Sequence, residues 1–286
     1  MIFEWIHRHR GVFDLAVMCE IHCVSRAGYY TWRDRKPSSR DAYRAQVIES
    51  IRRIHVESDS SYGSPRIHDK LIKQGESINR KTVEKYMKAA EIRGNSPARF
   101  VPTTTDSDHD RPVAENVLDR DFSADAPDRK WAGDITYVWT AEGWLYVAVI
   151  MDLFSRRIVG WAMADHMRSE LCEEALSMAL RRRRPEAGLI HHSDRGSQYV
   201  SDDYKRIVGD HEMVPSMSRR ANCWDNAVTE SFWSTLKREH VYRRRFATRA
   251  EARSSIFTWI EGWYNRRRSH SAIGYMSPEA FEASRN

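Results

Sequence analysis

Near residue 130 the spacing of apolar residues changes from that of helices to that of strands, and this change constrains the fold more than any other feature. Residues 130–140 are typical of a strand, and residues 144–154 form a second, nearly continuous apolar run. Glu142-Gly143 between the two runs predicts a hairpin turn. The second part of the chain therefore begins with two paired antiparallel strands.

The residues that follow alternate between short strands and helical patterns. The predicted elements are a strand over 157–164, a helix from 169, a strand over 189–192, a helix over 201–210, a strand over 213–216 and a helix over 225–241. Three antiparallel strands followed by helix, strand, helix, strand and helix describe the ribonuclease-H-like α/β fold. We expect a five-stranded mixed sheet with flanking helices, preceded by an all-α region.

The residues before the sheet carry signals typical of helix starts. A helix is predicted over 41–56, a second with Ser64 as its N-cap, and a third with Asn79 as its N-cap. The last two, joined by a Gly-containing turn, fit a helix-turn-helix, although a plain helical bundle fits the same pattern. The candidate DNA contacts on the last helix are Arg80, Lys81 and Lys85.

A stretch rich in Pro, Thr and Asp, without periodicity, separates the helical part from the sheet and predicts a domain boundary. The predicted division is a helical segment at 1–36, a helix-turn-helix-like DNA-binding domain at 37–93, a linker at 94–126, a ribonuclease-H-like core at 127–242 and a basic segment at 243–286.

The charge balance favours an anionic partner. The chain of 286 residues has 46 Lys and Arg against 40 Asp and Glu, a formal net charge of +6. Its four cysteines show no disulfide-like framework, which fits a reducing cytosol. No stretch approaches the ~18 apolar residues of a membrane span, so we expect no membrane partner.

Three carboxylates, Asp134, Asp194 and Glu230, are the candidate catalytic and metal-binding residues. Asp134 is expected near the centre of the first strand, Asp194 at the end of the fourth strand, and Glu230 on a helix that crosses the sheet. Hard cations such as Mg²⁺ or Mn²⁺ prefer carboxylate oxygens, and two such ions can cleave a phosphodiester by in-line displacement. We expect Asp134 to bridge two ions, Asp194 to hold one and Glu230 to complete the other site.

Each carboxylate also has a simpler interpretation. Asp134 could be a buried carboxylate paired with Lys or Arg, Asp194 could cap the turn that follows it, and Glu230 alone is an ordinary helix residue. The metal interpretation depends on the set. Asp152 could approach the same site, but a structural turn is favoured for it.

Further candidate DNA contacts lie near the carboxylates and in basic clusters. Lys237 lies two helical turns after Glu230 on the same face, where it can reach a phosphate. The remaining candidates are Gln198, Tyr199, Arg219, Arg220 and Arg268.

At these residues the chain resembles the DDE-type transposases of the IS3 insertion-sequence family, in particular their OrfB product with its retroviral-integrase-like core. Thirty-five residues separate Asp194 from Glu230, which is the spacing of that family. The resemblance covers nearly the whole length of the chain, and its strongest stretches are 131–137, 192–199, 222–232 and 264–278. Ala221 stands where the family pattern leads us to expect Gly, which affects only the local loop.

The resemblance implies cleavage at insertion-sequence ends and transfer of a 3′-OH into target DNA, with two Mg²⁺ or Mn²⁺ ions per active site. It implies that an upstream OrfA, alone or fused as OrfAB, cooperates with the chain. It also implies a dimer or larger complex on DNA, in the bacterial cytoplasm and associated with the nucleoid. The competing hypotheses are a ribonuclease-H-like nuclease without strand transfer and a DNA-binding regulator of transposition.

Overall fold

The computed structural model describes residues 2–95, 113–219 and 223–285, with the side chains of Cys223 and Trp224 excluded. Its first part is helical and has two separate apolar clusters, one around Ile6 and Tyr29 and one around Ile51 and Leu71. The helices are α1 (Ile2–His9), α2 (Leu15–Ile21), α3 (Arg26–Arg33), α4 (Ser39–Glu57), α5 (Ser64–Lys73) and α6 (Arg80–Ala89).

Most of these helices begin at a side chain that accepts a backbone N–H, which satisfies a donor that the first turn leaves without a helical partner. Asn79 does so for α6, as its sequence position predicts. The prediction for Ser64 is wrong, because Gly63 occupies the N-cap position of α5 and offers no side-chain bond. Pro65 still lies in the first turn, where its missing N–H costs nothing.

The sheet confirms the predicted fold class. Its strands are β1 (Lys130–Thr140), β2 (Gly143–Asp152), β3 (Ile158–Ala164), β4 (Ile190–Ser193) and β5 (Val214–Met217). They lie in the order β3-β2-β1-β4-β5. The first three strands are antiparallel, whereas β4 pairs in parallel with both β1 and β5.

The predicted hairpin joins β1 to β2. Thr140 pairs with Gly143 across a two-residue loop, and Gly143 has a φ of +105°, a backbone conformation that favours glycine. Seven of the ten positions of β2 are buried, because helices cover both faces of the sheet.

Two layers of helices enclose the sheet. On one face lie α7 (Ser169–Arg183) and α8 (Asp202–Asp210), and on the other lie α9 (Ala227–Glu239) and α10 (Arg249–Thr258). Gly160 of β3 allows α7 to approach closely, since a Cβ atom at this position would lie 2.2 Å from the carbonyl oxygen of Ala175. The packing of α7 on the sheet therefore depends on a residue without a side chain.

The C-terminal residues pack onto the sheet as well. A π-helical turn (Trp259–Tyr264) continues α10, and the short helix α11 (Pro278–Ala283) follows. Asn265 bonds the edge strand β3 as another strand would, since its Nδ2 donates to the carbonyl of Ile158 and its Oδ1 accepts from the N–H of Ile158, each at 3.0 Å. Residues 243–286 thus share an apolar core with the sheet.

The described part of the expected linker, residues 113–126, is ordered against the sheet. Leu118 is buried beside Ala132 and Leu153, and its N–H donates to the Ser216 hydroxyl. Asn116 and Arg120 donate to a carboxylate beyond the sheet.

That carboxylate belongs to Asp225, which is fully buried just before α9. It accepts hydrogen bonds from Asn116, Arg120 and Arg219, at 2.8 to 2.9 Å. The guanidinium of Arg219 is the main reason that the pKa of Asp225 lies far below its ordinary value. Asp225 therefore ties the segment after β5 to the segment before β1.

Because the pKa of Asp225 is lower in the folded chain than in the unfolded one, the stabilisation is present above the unfolded pKa of about 3.9 and is lost as pH falls below it. We expect the melting temperature of the wild type to fall between about pH 5 and pH 2, and the Asp225→Asn variant to show a flatter decline. Thermal unfolding across this pH range measures both slopes. Equal slopes in the two proteins would exclude this contribution.

The helical domain α4–α6 contacts the sheet domain directly. Tyr62 accepts the N–H of Ser269 at 2.7 Å, and Arg66 donates to the Ser269 carbonyl at 3.0 Å. Trp263 packs against the apolar clusters of both domains. None of the helices in the described part of the chain combines the length and apolar character needed to cross a lipid bilayer.

Candidate active site

Asp134 lies on the central strand β1, beside the end of β4. Asp134 lies two residues beyond Ala132, which pairs with His192 of β4. Asp194 follows Ser193, the last residue of β4, and lies close enough to Asp134 for its charge to raise the pKa of that carboxyl. The structure therefore brings together two of the three predicted carboxylates.

Helix α9 supplies a donor to Asp134. Trp233 Nε1 donates to Asp134 Oδ2 at 3.0 Å, whereas the hydroxyl of Thr229, one turn earlier, donates to the Asn226 carbonyl at 2.9 Å. The N–H of Ile135 donates to Oδ1 at 2.8 Å. These donors fix the orientation of the carboxylate but bring no positive charge to it.

The electrostatics of the site fit a cation. Burial raises the pKa of Asp134 well above its ordinary value, and the nearby charge of Asp194 raises it further. Two facing carboxylates repel each other in a low-dielectric site, and a divalent ion would offset that repulsion. Mg²⁺ is commonly held by one or two protein carboxylates, with water and substrate phosphates completing its shell. The donor chemistry of this pair therefore suits Mg²⁺ or Mn²⁺.

Glu230 lies on the same helix, one residue after Thr229, and its side chain is exposed. Partial burial is the cause of the raised pKa of Glu230. Within residues 2–95, 113–219 and 223–285, no group of three His, Cys, Asp or Glu side chains is close enough to hold a metal ion together. The structure thus places Glu230 on the element that contacts Asp134, with its carboxylate outside the pair.

Asp194 begins a tight turn after β4. Its Oδ1 accepts the N–H of Gly196 at 2.9 Å, and a Cβ on Gly196 would lie only 3.0 Å from that oxygen. The turn-capping interpretation of Asp194 therefore describes a real contact, and this contact leaves the residue beside Asp134.

The other polar residues near the strand ends have structural roles. Asp152 accepts the N–H groups of Asp128, Phe154 and Ser155, which agrees with the turn role favoured for it. His192 lies between two serine hydroxyls, and burial lowers its pKa to about 4, so the ring is neutral near pH 7.

Lys237 is the predicted DNA contact nearest to the carboxylates. Its Nζ lies 5.1 Å from the centre of the Tyr137 ring, a cation–π distance. Burial lowers the pKa of Lys237, whereas the charge of Asp134 acts in the opposite direction. This electrostatic contact places the ammonium group close to the candidate site.

The remaining predicted DNA contacts are scattered. The three basic residues of α6, Arg80, Lys81 and Lys85, are exposed. Gln198 donates to the Met167 carbonyl, and Arg219 bonds Asp225 while keeping 45% of its side chain exposed. Arg220 lies outside the described residues.

Two predicted DNA contacts are buried. Tyr199 is 3% exposed and packs edge-on against Tyr204. Arg268 is 4% exposed and forms two hydrogen bonds with Glu239, at 2.7 and 2.8 Å. We therefore assign both side chains structural roles in place of the expected contacts with DNA, because neither offers surface to a phosphate.

Trp233 is the site residue that sequence reasoning missed. In the sequence it has the pattern of an apolar core residue of α9, but its indole N–H donates a hydrogen bond to the Asp134 carboxylate. Its position, four residues after Thr229 and three after Glu230, was the available signal, because such residues share one face of a helix.

Comparison with known proteins agrees with this architecture. Residues 124–223 and 211–278 each match a family model described as an integrase core domain, and residues 42–100 match an HTH-like domain. The "Transposase InsF for insertion sequence IS3A" of Escherichia coli (strain K12) is 41% identical over 284 residues, covering 99% of this chain and 98% of the relative. The chain belongs to the IS3 family of insertion-sequence transposases.

A second relative of this transposase is the "Insertion element IS600 uncharacterized 31 kDa protein" of Shigella sonnei. It is 44% identical over 264 residues, which cover 92% of the transposase and 97% of the relative. Among solved structures, the catalytic core domain of BIV integrase is similar to it with a TM-score of 0.41 and 15% identity, covering 55% of the transposase and 95% of that chain. The HTH-like match contains α5 and α6 of the transposase and all of α4 except its first three residues.

Proposed function

We propose that Asp134, Asp194 and Glu230 form the acidic catalytic set of a metal-dependent DNA strand transferase. The observation that carries the proposal is the buried Asp134 of β1 beside Asp194, which follows β4, with neutral hydrogen-bond donors to Asp134 from Trp233 and the Ile135 N–H. Glu230 is the third member, since it projects from the helix whose Trp233 bonds Asp134. The reaction is cleavage at the insertion-sequence end and transfer of the 3′-OH into target DNA.

Asp134 and Asp194 would hold a divalent ion, and Glu230 would complete the site of a second. Two Mg²⁺ or Mn²⁺ ions would supply an activated nucleophile and offset the negative charge on the phosphorus oxygens. Such an ion would offset the repulsion between the two neighbouring carboxylates.

The chain's own residues would orient the reactants. Trp233 and the Ile135 N–H position the Asp134 carboxylate by hydrogen bonding, so its oxygens need no reorganisation to bind the cation. Lys237, whose ammonium lies near Asp134, binds a phosphate of the DNA strand beside the reacting bond.

The helical domain and the sheet domain would have different roles in the reaction. Residues 37–93 contact DNA through the exposed Arg80, Lys81 and Lys85 on α6, and residues 127–242 carry the chemistry. Residues 1–36 form a separate helical segment, residues 94–126 link the domains, and residues 243–286 complete the packing of the sheet.

Membership of the IS3 family supports three further proposals about the working complex. The chain acts on element ends together with an upstream OrfA or as an OrfAB fusion. It assembles as a dimer or larger complex, because transposition holds two ends together. It works in the bacterial cytoplasm at the nucleoid, where its DNA substrates are.

The proposal is tested with a labelled insertion-sequence end, a target plasmid and Mg²⁺ or Mn²⁺, with and without OrfA. We expect joined products that disappear when a chelator is added, because the carboxylates would then lack their cation. Gel electrophoresis separates joined from shortened ends. Shortened ends without joining would instead indicate a nuclease, and DNA binding without either product would indicate a regulator.

A further inference from the structure

A basic cavity lies where the helical domain meets the sheet domain, away from the three carboxylates. Its volume is about 410 Å³. We call it the seam pocket. The described residues that line it are Ser60, Arg93, Gly94, Asn95, Arg238, Tyr242 and Arg243. Both domains therefore contribute to one concavity.

The seam pocket gathers positive charge. Three of its lining residues are arginines, and the described lining residues include no carboxylate. At its margin the Oδ2 atom of Asp59 lies 3.4 Å from Arg243 Nη1 and 3.2 Å from Arg244 Nη2. This one carboxylate is therefore shared between two guanidinium groups. Like charges gathered in a concavity attract anions, and arginine's fork of donors matches phosphate oxygens. The Tyr242 ring beside them is 61% exposed.

One contact between the domains and two contacts within the helical part hold the pocket in shape. Asn95 Nδ2 donates to the Arg238 carbonyl at 2.7 Å, while the Asn95 N–H donates to the Ser61 carbonyl at 3.2 Å. Gly94 lies so close to Gly63 that a Cβ on it would be 2.5 Å from the Gly63 Cα. A preformed site binds its ligand without first ordering its own residues.

Helix α9 links the seam pocket to the candidate active site. Arg238 directly follows Lys237 in α9, and the charge of Asp134 raises the pKa of Lys237. Arg238 lies eight positions after Glu230, which is about 12 Å of helix rise at 1.5 Å per residue. That length corresponds to roughly three to four nucleotide steps of duplex DNA at 3.4 Å each.

We propose that the seam pocket binds the phosphodiester backbone of the DNA whose end lies at the carboxylates, about three to four nucleotides from the reacting bond. Arg93 and Arg238 contact the phosphates. Arg243 joins the two domains through its ion pair with Asp59. This inference rests on the proposed function, because the distance is counted from the acidic set. A DNA contact in the seam pocket would therefore lie at a fixed distance from the acidic set, at the boundary between the helix-turn-helix-like domain and the core.

The test is the full-length double variant Arg93→Gln/Arg238→Gln, with binding of a fluorescent duplex of the element end measured by anisotropy in a chelator. Removing two phosphate contacts should lower the slope of log K against log salt by about 1.8, at about 0.9 per contact. We expect affinity to fall about 10- to 100-fold at fixed low salt. The conservative variant Arg93→Lys/Arg238→Lys should keep the wild-type slope, because it keeps both charges.

The matched control is Arg181→Gln/Lys205→Gln, which removes two exposed positive charges from α7 and α8 on the other face of the sheet. This control should bind within about twofold of the wild type, since a screened distant charge adds little. If the test and control variants lost the same amount of affinity for the duplex, the loss would reflect net charge alone and would overturn the proposal. An unchanged slope in the test variant would overturn it as well.

Failure of this inference is distinguishable from failure of the proposed function. Binding is measured without metal, so it does not depend on the carboxylates. If Asp194→Asn abolishes joining while the seam variant binds like wild type, the acidic set stands and the seam pocket is not a DNA site. If the seam variant binds weakly while Asp194→Asn joins normally, the pocket binds DNA but the acidic set and the distance counted from it are wrong.

Discussion

Replacing Asp134 with Asn is expected to slow strand transfer by about a thousandfold or more. The substitution keeps the size of the side chain but removes one of the two facing charges that would hold the cation. Metal ions contribute several kcal/mol to such transition states, and each 1.36 kcal/mol is a factor of ten in rate. The rate of joined-product formation, measured under single-turnover conditions, gives the effect directly.

A second measurement on the same variant does not depend on activity. Mg²⁺ that binds only the folded wild type should stabilise it by about 2.7 kcal/mol at one hundred times its dissociation constant. The melting temperature of the wild type should therefore rise with added Mg²⁺, and that of Asp134→Asn should not. Asp203→Asn, an exposed change on α8, should keep the wild-type response. A variant that retains both fast joining and the Mg²⁺ response would show that Asp134 is not a ligand.

Replacing Gly160 with Ala is expected to destabilise the fold by about 3 kcal/mol, the upper end for added atoms in a packed core. The new Cβ would lie 2.2 Å from the Ala175 carbonyl oxygen and 2.8 Å from the Ala179 Cβ. Helix α7 would have to move off β3, because both obstructing groups belong to the core. A fall in melting temperature of roughly 6–12 °C follows at about 2–4 °C per kcal/mol.

Gly209→Ala is the control for that change. Gly209 lies in α8 with no atom within 4 Å of an added Cβ, so the substitution adds only helix propensity. It should stabilise the chain by roughly 0.5–1 kcal/mol. Thermal unfolding of the two variants side by side tests the packing argument, and a Gly160→Ala protein that melts with the wild type would contradict it.

The sheet was predictable because its signals are local. The Glu142-Gly143 hairpin, the apolar run of β2 and the alternation of short strands with helices follow from residue patterns within ten or so positions. The positions of Asp134 and Asp194 on β1 and at the end of β4 followed from the same patterns.

The features that the sequence did not reveal depend on contacts between distant residues. Arg268 looked like a surface arginine until its partner Glu239, 29 residues away, was seen to bury it. Trp233 looked apolar until Asp134, 99 residues away, was found beside its indole N–H. The exposure of Glu230 likewise depends on how α9 lies over the sheet, which no periodicity specifies.

Asn265 has a consequence for self-association. It occupies the N–H and the carbonyl of Ile158, at the start of an edge strand that could otherwise accept a strand from a neighbouring molecule. A second copy therefore cannot continue the sheet at this corner without first displacing an amide that already satisfies both groups. The contact thus opposes fibrous aggregation through the start of β3.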